Sequence, residues 1–213
     1  MNAPTLKVPN RAATFARWSA LHGEAEVRGI VKGWLTISFT LCLPLAKTRV
    51  TPNILSMAGV LASFILVPFS RSWWGLLFLA LSILFDGIDG TLAIMTGKDS
   101  IRGAMLDSIC DRVSELFWLI AFYRLGAPVW VIGTAWVAAF TQEYARARIA
   151  GLGEYQIDIV TIAERPVRAA FLCVAMVAYL VHIPVVTAVA WLWLIFQVIS
   201  LMMVARSGFK RLS

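Results

Sequence analysis

The sequence predicts an all-α integral membrane protein: six transmembrane helices preceded by an N-terminal amphipathic juxtamembrane helix. Three observations carry that prediction. Of 213 residues, 60% are hydrophobic and only 15% charged, with a mean hydropathy of +0.78, which excludes an ordinary soluble domain. Six apolar segments are long enough to span a bilayer, at 52–70, 73–95, 103–124, 127–148, 167–183 and 184–206. The charges, finally, gather on one side. With six spans, both termini share a face with the loops around 96–102 and 149–166, and of the 19 Lys and Arg only Arg71 and Arg124 fall opposite. The positive-inside rule makes the crowded face cytoplasmic and the chain a multi-pass protein of the cell (inner) membrane.

Each element has its own signal. Residues 1–30 are mixed and polar, and read as a cytoplasmic N-terminal extension rather than a cleavable leader. Over 31–48, Lys32, Ser38, Thr40, Pro44 and Lys47 interrupt an apolar stripe of Trp34, Leu35, Leu41 and Leu45. This pattern reads as an amphipathic helix on the membrane surface, with a seventh span as the alternative. Thr51-Pro52-Asn53 opens the first span with a cap-like turn. Gly97-Lys98-Asp99-Ser100 parts the second span from the third, Gly126-Ala127-Pro128 the third from the fourth, and His182-Ile183-Pro184 the fifth from the sixth. Residues 49–207 thus form the six-helix domain and 208–213 a cytoplasmic tail. Trp73, Trp74 and Trp130 suit the outer interfacial belt. Cys42, Cys110 and Cys173 lie in apolar stretches without pairing or zinc spacing, and read as buried thiols. The net charge of +7 is a topology signal and a surface for anionic lipid and phosphate, not for nucleic acid.

Four aspartates stand out against this apolar background: Asp86, Asp89, Asp107 and Asp111. One Asp at the centre of a spanning helix costs about 2.5–3.5 kcal/mol on insertion scales. Several together repel one another unless protonated or bound by cations. Asp86 and Asp89 are three apart on one helix, and Asp107 and Asp111 four apart on the next, so each pair shares a helix face. Two antiparallel helices with those faces opposed hold four carboxylates around a common point, a ligand set suited to hard divalent cations and substrate phosphates.

Written as a pattern, the run is D-x2-D-G-x2-A-x9-G-x3-D-x3-D, from Asp86 to Asp111. It resembles the signature of the CDP-alcohol phosphotransferases, membrane enzymes that make phospholipid head groups. The resemblance implies a CDP-diacylglycerol donor held by two divalent ions, Mg²⁺ or Mn²⁺. Asp86, Asp89 and Asp107 would be metal ligands, and Asp111 both a ligand and the base that takes the acceptor's proton. Gly90, Ala93 and Gly103 would let the nucleotide approach the backbone, and Asn53 would contact the cytidine, although tight helix packing and helix capping explain such residues taken singly. One position departs: the family arginine after Ala93 is Ile94. Lys98 or Arg102 in the following loop would substitute, or both are solvated loop charges.

A second cluster bears on the acceptor. Glu143-Tyr144-Ala145-Arg146-Ala147-Arg148 ends the fourth span, Glu164-Arg165-Pro166-Val167-Arg168 opens the fifth, and Arg206 closes the sixth. Singly, such arginines set orientation and snorkel. Together they are similar to those of the phosphatidylinositol phosphate synthases within the family, which implies that Arg146, Arg165 and Arg206 hold the phosphate of a phosphorylated polyol. Inositol 1-phosphate is the first expectation and glycerol 3-phosphate the nearest competitor. Glu115 continues the Asp107/Asp111 face by a turn; it tunes the site or pairs with Arg112 or another charge. The resemblance also implies a homodimer. Readings of another class are a cation transporter, a prenyltransferase using the same metal chemistry, and a scaffold that has lost activity.

Overall fold

The computed structural model describes residues 10–21, 24, 26–152 and 160–212. Residues 1–9, 22–23 and 25 of the expected extension, 153–159 of the expected cytoplasmic loop and 213 of the expected tail lie outside the described residues. Among the described residues the chain forms eight helices and no strand: α1 (Arg11–Leu21), α2 (Gly29–Ala46), α3 (Pro52–Phe69), α4 (Trp73–Thr96), α5 (Ile101–Arg124), α6 (Val129–Ala150), α7 (Arg165–Leu180) and α8 (Val186–Leu212). The six expected spans correspond to α3 to α8. By length and composition, three helices (α3, α4 and α8) are apolar enough to cross a membrane unaided. Helix α5 carries acids and arginines, α6 ends in a charged run, and α7 has 16 residues.

The chain divides into two compact units. The first comprises residues 1–59 and 84–111: α1, α2, the opening turns of α3, the end of α4 and the start of α5. Its core is Cys42, Ala46, Leu55, Ile88 and Leu92. Helix α1, unexpected within the polar extension, starts where the Asn10 side chain accepts the Ala12 N–H at 2.9 Å. Helix α2 buries Leu35, Phe39, Cys42 and Ala46 at helical spacing. Its other side exposes Ile37 and Leu41, apolar residues suited to lipid. The turn from α4 to α5 explains why two aspartate pairs meet. Gly97 adopts φ +64, and the Lys98 N–H bonds back to the Ala93 carbonyl at 2.9 Å, a helix stop that favours glycine. Three residues later the Ser100 hydroxyl accepts the Gly103 N–H at 3.1 Å and caps α5. The chain therefore reverses within four residues.

The second unit comprises residues 60–83 and 112–213. Helix α8 packs on α6 and α7, and the core centres on Phe122, Ile132, Leu172, Met176 and Trp193. Two polar pairs lie inside it: the Gln197 amide donates to Gln142 Oε1 at 2.8 Å, and the Ala163 N–H to Ser200 Oγ at 2.9 Å. Such bonds between membrane helices contribute about 0.6 kcal/mol each. At the α5 terminus Arg71 Nε donates to the Arg124 carbonyl at 2.7 Å, so the two arginines expected on the outer face meet at one helix end. Residues 208–212, read from sequence as a tail, continue α8 as helix. Gly208 is buried there against α6: a Cβ would stand 2.5 Å from Ile149 Cδ1, so a larger residue would make the Ile149 side chain shift.

Candidate metal and diphosphate site

The site lies wholly within the first unit. Asp86 comes from α4 and Asp107 and Asp111 from α5, and one carboxylate oxygen from each lies within 4.8 Å of the others. Of the four carboxylates expected around a common point, these three converge, the i,i+4 pair of α5 among them. Asp89 does not join that group. It is 5% exposed, its Oδ2 accepts the Ser56 hydroxyl of α3, and its Oδ1 accepts the Gly90 N–H at 2.6 Å. It still interacts with Asp107. Two carboxylates in contact repel unless a proton or cation lies between them. The buried Oδ1 of Asp107 meets no hydrogen-bond donor among the described residues. The set is oxygen-only, acidic and crowded, and so fits a hard divalent cation. Ser56 was not legible as a site residue; a serine four positions after Pro52 carries no chemical signature of its own.

A cavity of about 630 Å³ opens over Asp86, Asp89 and Asp107, within the size range of small-ligand sites. Asn53, Asp86, Asp89, Gly90, Ala93, Gly103 and Asp107 all line it, as does Ile94. Lys98 lines it too, whereas Arg102 is exposed and outside the lining. The small residues now separate by role. A Cβ at Gly87 would collide with the Trp34 ring, so Gly87 serves packing of α2 on α4. A Cβ at Gly103 would stand 3.2 Å from Ser100 Oγ and 3.7 Å from Asn53 Oδ1, which ties Asn53 to the α5 start. At Gly90 a Cβ would meet nothing within 4 Å, so packing does not require this glycine. Gly90→Leu should therefore leave thermal stability unchanged or slightly higher, since leucine is favoured over glycine by roughly 1 kcal/mol in a helix. The same change should raise the KM for a nucleotide substrate by about tenfold or more, because the new side chain occupies the cavity. Equal KM values for the two proteins would deny Gly90 that role.

The expected acceptor residues belong to the second unit, where Arg146 is engaged in ion pairs. Arg146 grips Glu164 with two bonds, Nη2 to Oε1 at 2.6 Å and Nη1 to Oε2 at 3.0 Å, and reaches Glu143 at 3.5 Å. Arg165 stacks over the Trp118 ring at 5.2 Å, and Arg206 is exposed on α8. Arg168, 3% exposed, donates to Glu115 Oε1 at 2.6 Å, Glu143 Oε1 at 2.7 Å and the Ala163 carbonyl at 2.9 Å. Arg112 reaches the other oxygen of Glu115 at 3.1 Å. Of the two readings of Glu115, ion pairing is the one realised.

Glu164 sits in the loop before α7. Burial alone would raise its carboxyl, but the Arg146 guanidinium and the Thr161 N–H and hydroxyl outweigh burial and hold it at about 2. A carboxyl lowered on folding stabilises the protein above its ordinary value of 4.5, and that contribution is lost as pH falls toward about 2. Acid unfolding in detergent should therefore steepen below pH 4.5. Glu164→Gln should flatten that limb and cost roughly 1–2 kcal/mol at neutral pH, allowing for partial exposure. An identical acid limb in both proteins would remove Glu164 from the account.

The family assignment agrees with this geometry. Residues 49–203 match the CDP-alcohol phosphatidyltransferase description, and the chain belongs to that family. It is 33% identical over 129 residues to the phosphatidylinositol phosphate synthase of Mycolicibacterium smegmatis, covering 53% of this chain and 58% of that relative. It is 32% identical over 159 residues to the archaetidylinositol phosphate synthase of Pyrococcus horikoshii, covering 71% of this chain and 82% of the relative. Among solved structures, phosphatidylinositol phosphate synthase of Mycobacterium tuberculosis with CDP-DAG bound matches with a TM-score of 0.63 at 23% identity, over 82% of this chain and 94% of that one. That likeness shows a shared fold. Family and apolar helices together support a multi-pass membrane protein.

Proposed function

We propose that this chain transfers a phosphatidyl group from CDP-diacylglycerol to a phosphorylated polyol, inositol 1-phosphate in the first place, with release of CMP. The observation that carries the reading is the convergence of Asp86, Asp107 and Asp111 beside a cavity that Asp86 and Asp107 line, in a chain of this family. The named relatives supply the choice of acceptor.

Asp86, Asp89, Asp107 and Asp111 would hold two divalent ions, Mg²⁺ or Mn²⁺, with Asp89 oriented by Ser56. When bound, the ions neutralise the diphosphate and the charge that develops on departing CMP. The acceptor hydroxyl forms a new bond to the lipid-side phosphorus while the bond between the two phosphates breaks. Asp111 takes the hydroxyl proton, and CMP leaves with the bonding pair. Asn53, Gly90, Ala93 and Gly103 line the donor's path, with Lys98 rather than Arg102 as the loop cation. The acceptor phosphate belongs to Arg146, Arg165 and Arg206. A phosphate there replaces part of the Glu164 pairing of Arg146, one anion for another. Six spans with a cytoplasmic site, a surface-lying α2 and a homodimer complete the proposal.

The protein in detergent, given labelled CDP-diacylglycerol, Mg²⁺ and inositol phosphate, glycerol 3-phosphate, inositol or serine in parallel, identifies the acceptor. Inositol phosphate should give the highest kcat/KM; a preference for glycerol 3-phosphate would reassign the acceptor, and no product from any would favour the transporter or scaffold. Arg165→Ala should raise the acceptor KM by about tenfold and leave the donor KM within twofold. An unchanged acceptor KM would return Arg165 to topology alone.

A further inference from the structure

The polar N-terminal extension contributes a helix to the donor cavity. Arg17, Trp18 and Leu21 of α1 line it together with Asp86, Asp89 and Asp107. Helix α1 is held in place by its Asn10 cap and by Arg11, whose guanidinium donates to the Thr36 hydroxyl of α2. Arg17 reaches inward to Asp99 of the α4–α5 turn, Nη2 to Oδ2 at 2.8 Å. Among the lining residues the cationic side chains are Arg17 and Lys98, while Asp86, Asp89, Asp99 and Asp107 are acidic.

A nucleoside diphosphate entering this cavity needs hydrogen-bond donors as well as cations, and Ile94, which lines it from α4, offers none. We propose that Arg17 is a phosphate-binding residue of the donor cavity, releasing Asp99 to grip the diphosphate of the CDP-lipid. The exchange is chemically even: a guanidinium fork leaves one carboxylate for a second anion of matching geometry. The Arg17 side chain is 56% exposed and Asp99 25%, so the ion pair is weak enough to exchange. Asp99 thus holds the fork at the cavity rim until the donor arrives. This inference rests on the transferase reading above, and a direct binding measurement separates the two.

The full chain in detergent is compared with Arg17→Ala, Arg17→Lys and Asp99→Asn in two measurements with Mg²⁺ present: CMP release at varied CDP-diacylglycerol, and direct titration with soluble CDP. Arg17→Ala should raise the donor KM and the CDP dissociation constant by about tenfold, with kcat and acceptor KM within twofold. Arg17→Lys should recover part of the loss, and Asp99→Asn should lower both constants by about twofold, because the fork no longer has a competitor. If Arg17 only pins α1 to the turn, Arg17→Ala and Asp99→Asn break the same contact and weaken CDP binding alike; that result, or no change with Arg17→Ala, overturns the proposal. Should the unaltered chain release no CMP, the transferase reading fails, and the CDP titration still decides Arg17.

Discussion

Asp107→Asn should lower CMP release by about a thousandfold or more, and should do so without unfolding the protein. Asp107 is the carboxylate at which both halves of the site meet. It belongs to the three-oxygen group with Asp86 and Asp111, and it also interacts with Asp89. Asparagine preserves its shape and removes one negative charge from a crowded acidic cluster. Without cations, that removal relieves repulsion, so the melting temperature should stay level or rise. With Mn²⁺ the sign reverses: the unaltered protein gains stability by ligation and the variant gains much less. The two opposite shifts, read in one thermal-melt series with and without Mn²⁺, distinguish a ligand from a structural acid. Activity within tenfold of the unaltered protein would exclude Asp107 as a ligand.

The second large effect lies in the other unit. Arg168→Ala should destabilise the protein by about 3–5 kcal/mol, the cost of stranding buried carboxylates when their partner is removed. Arg168 is almost fully buried and divides its guanidinium between Glu115, Glu143 and the Ala163 carbonyl. Its loss leaves Arg112 as the ion-pair partner of Glu115 and Arg146 as that of Glu143. Pairing Arg168→Met with Glu115→Gln should recover a large part of the loss, since it removes one stranded charge along with its partner. Thermal unfolding of the unaltered chain, Arg168→Met, Glu115→Gln and the double variant in one detergent measures the coupling. Additive losses would show that the guanidinium is held by packing alone.

The elements that were legible in the sequence are those whose signals are local. Pro52 at the start of α3, Gly97 and Ser100 at the α4–α5 turn, and Pro166 at the start of α7 each set a helix end through their own backbone chemistry. The short turn and the two aspartate spacings together foretold the carboxylate cluster. What was not legible depends on contacts between distant segments. Asp89 turns to Ser56, 33 residues away, and so leaves the common point. Arg17 meets Asp99 across 82 residues, which no periodicity in the polar extension announces. Helix α8 outruns its apolar stretch, and there Ile149 of α6 covers Gly208. Arg146 looked like a phosphate ligand by its motif, and its bidentate grip on Glu164 adds a structural duty. The charges that make α5 and α6 poor spans by composition are the acids and arginines of these two networks.

The central claim is that Asp86, Asp107 and Asp111, with Asp89 beside them, form a divalent-cation site that binds a nucleoside diphosphate. Manganese electron paramagnetic resonance tests it most directly, because bound Mn²⁺ loses the sharp six-line signal of the free ion. On titrating the full chain in detergent, the free signal should be suppressed by up to two ions per chain and more strongly when CDP is present, and Asp107→Asn should abolish the CDP-dependent part. A Mn²⁺ signal that stays free with and without CDP, or that Asp107→Asn suppresses equally well, would contradict the account.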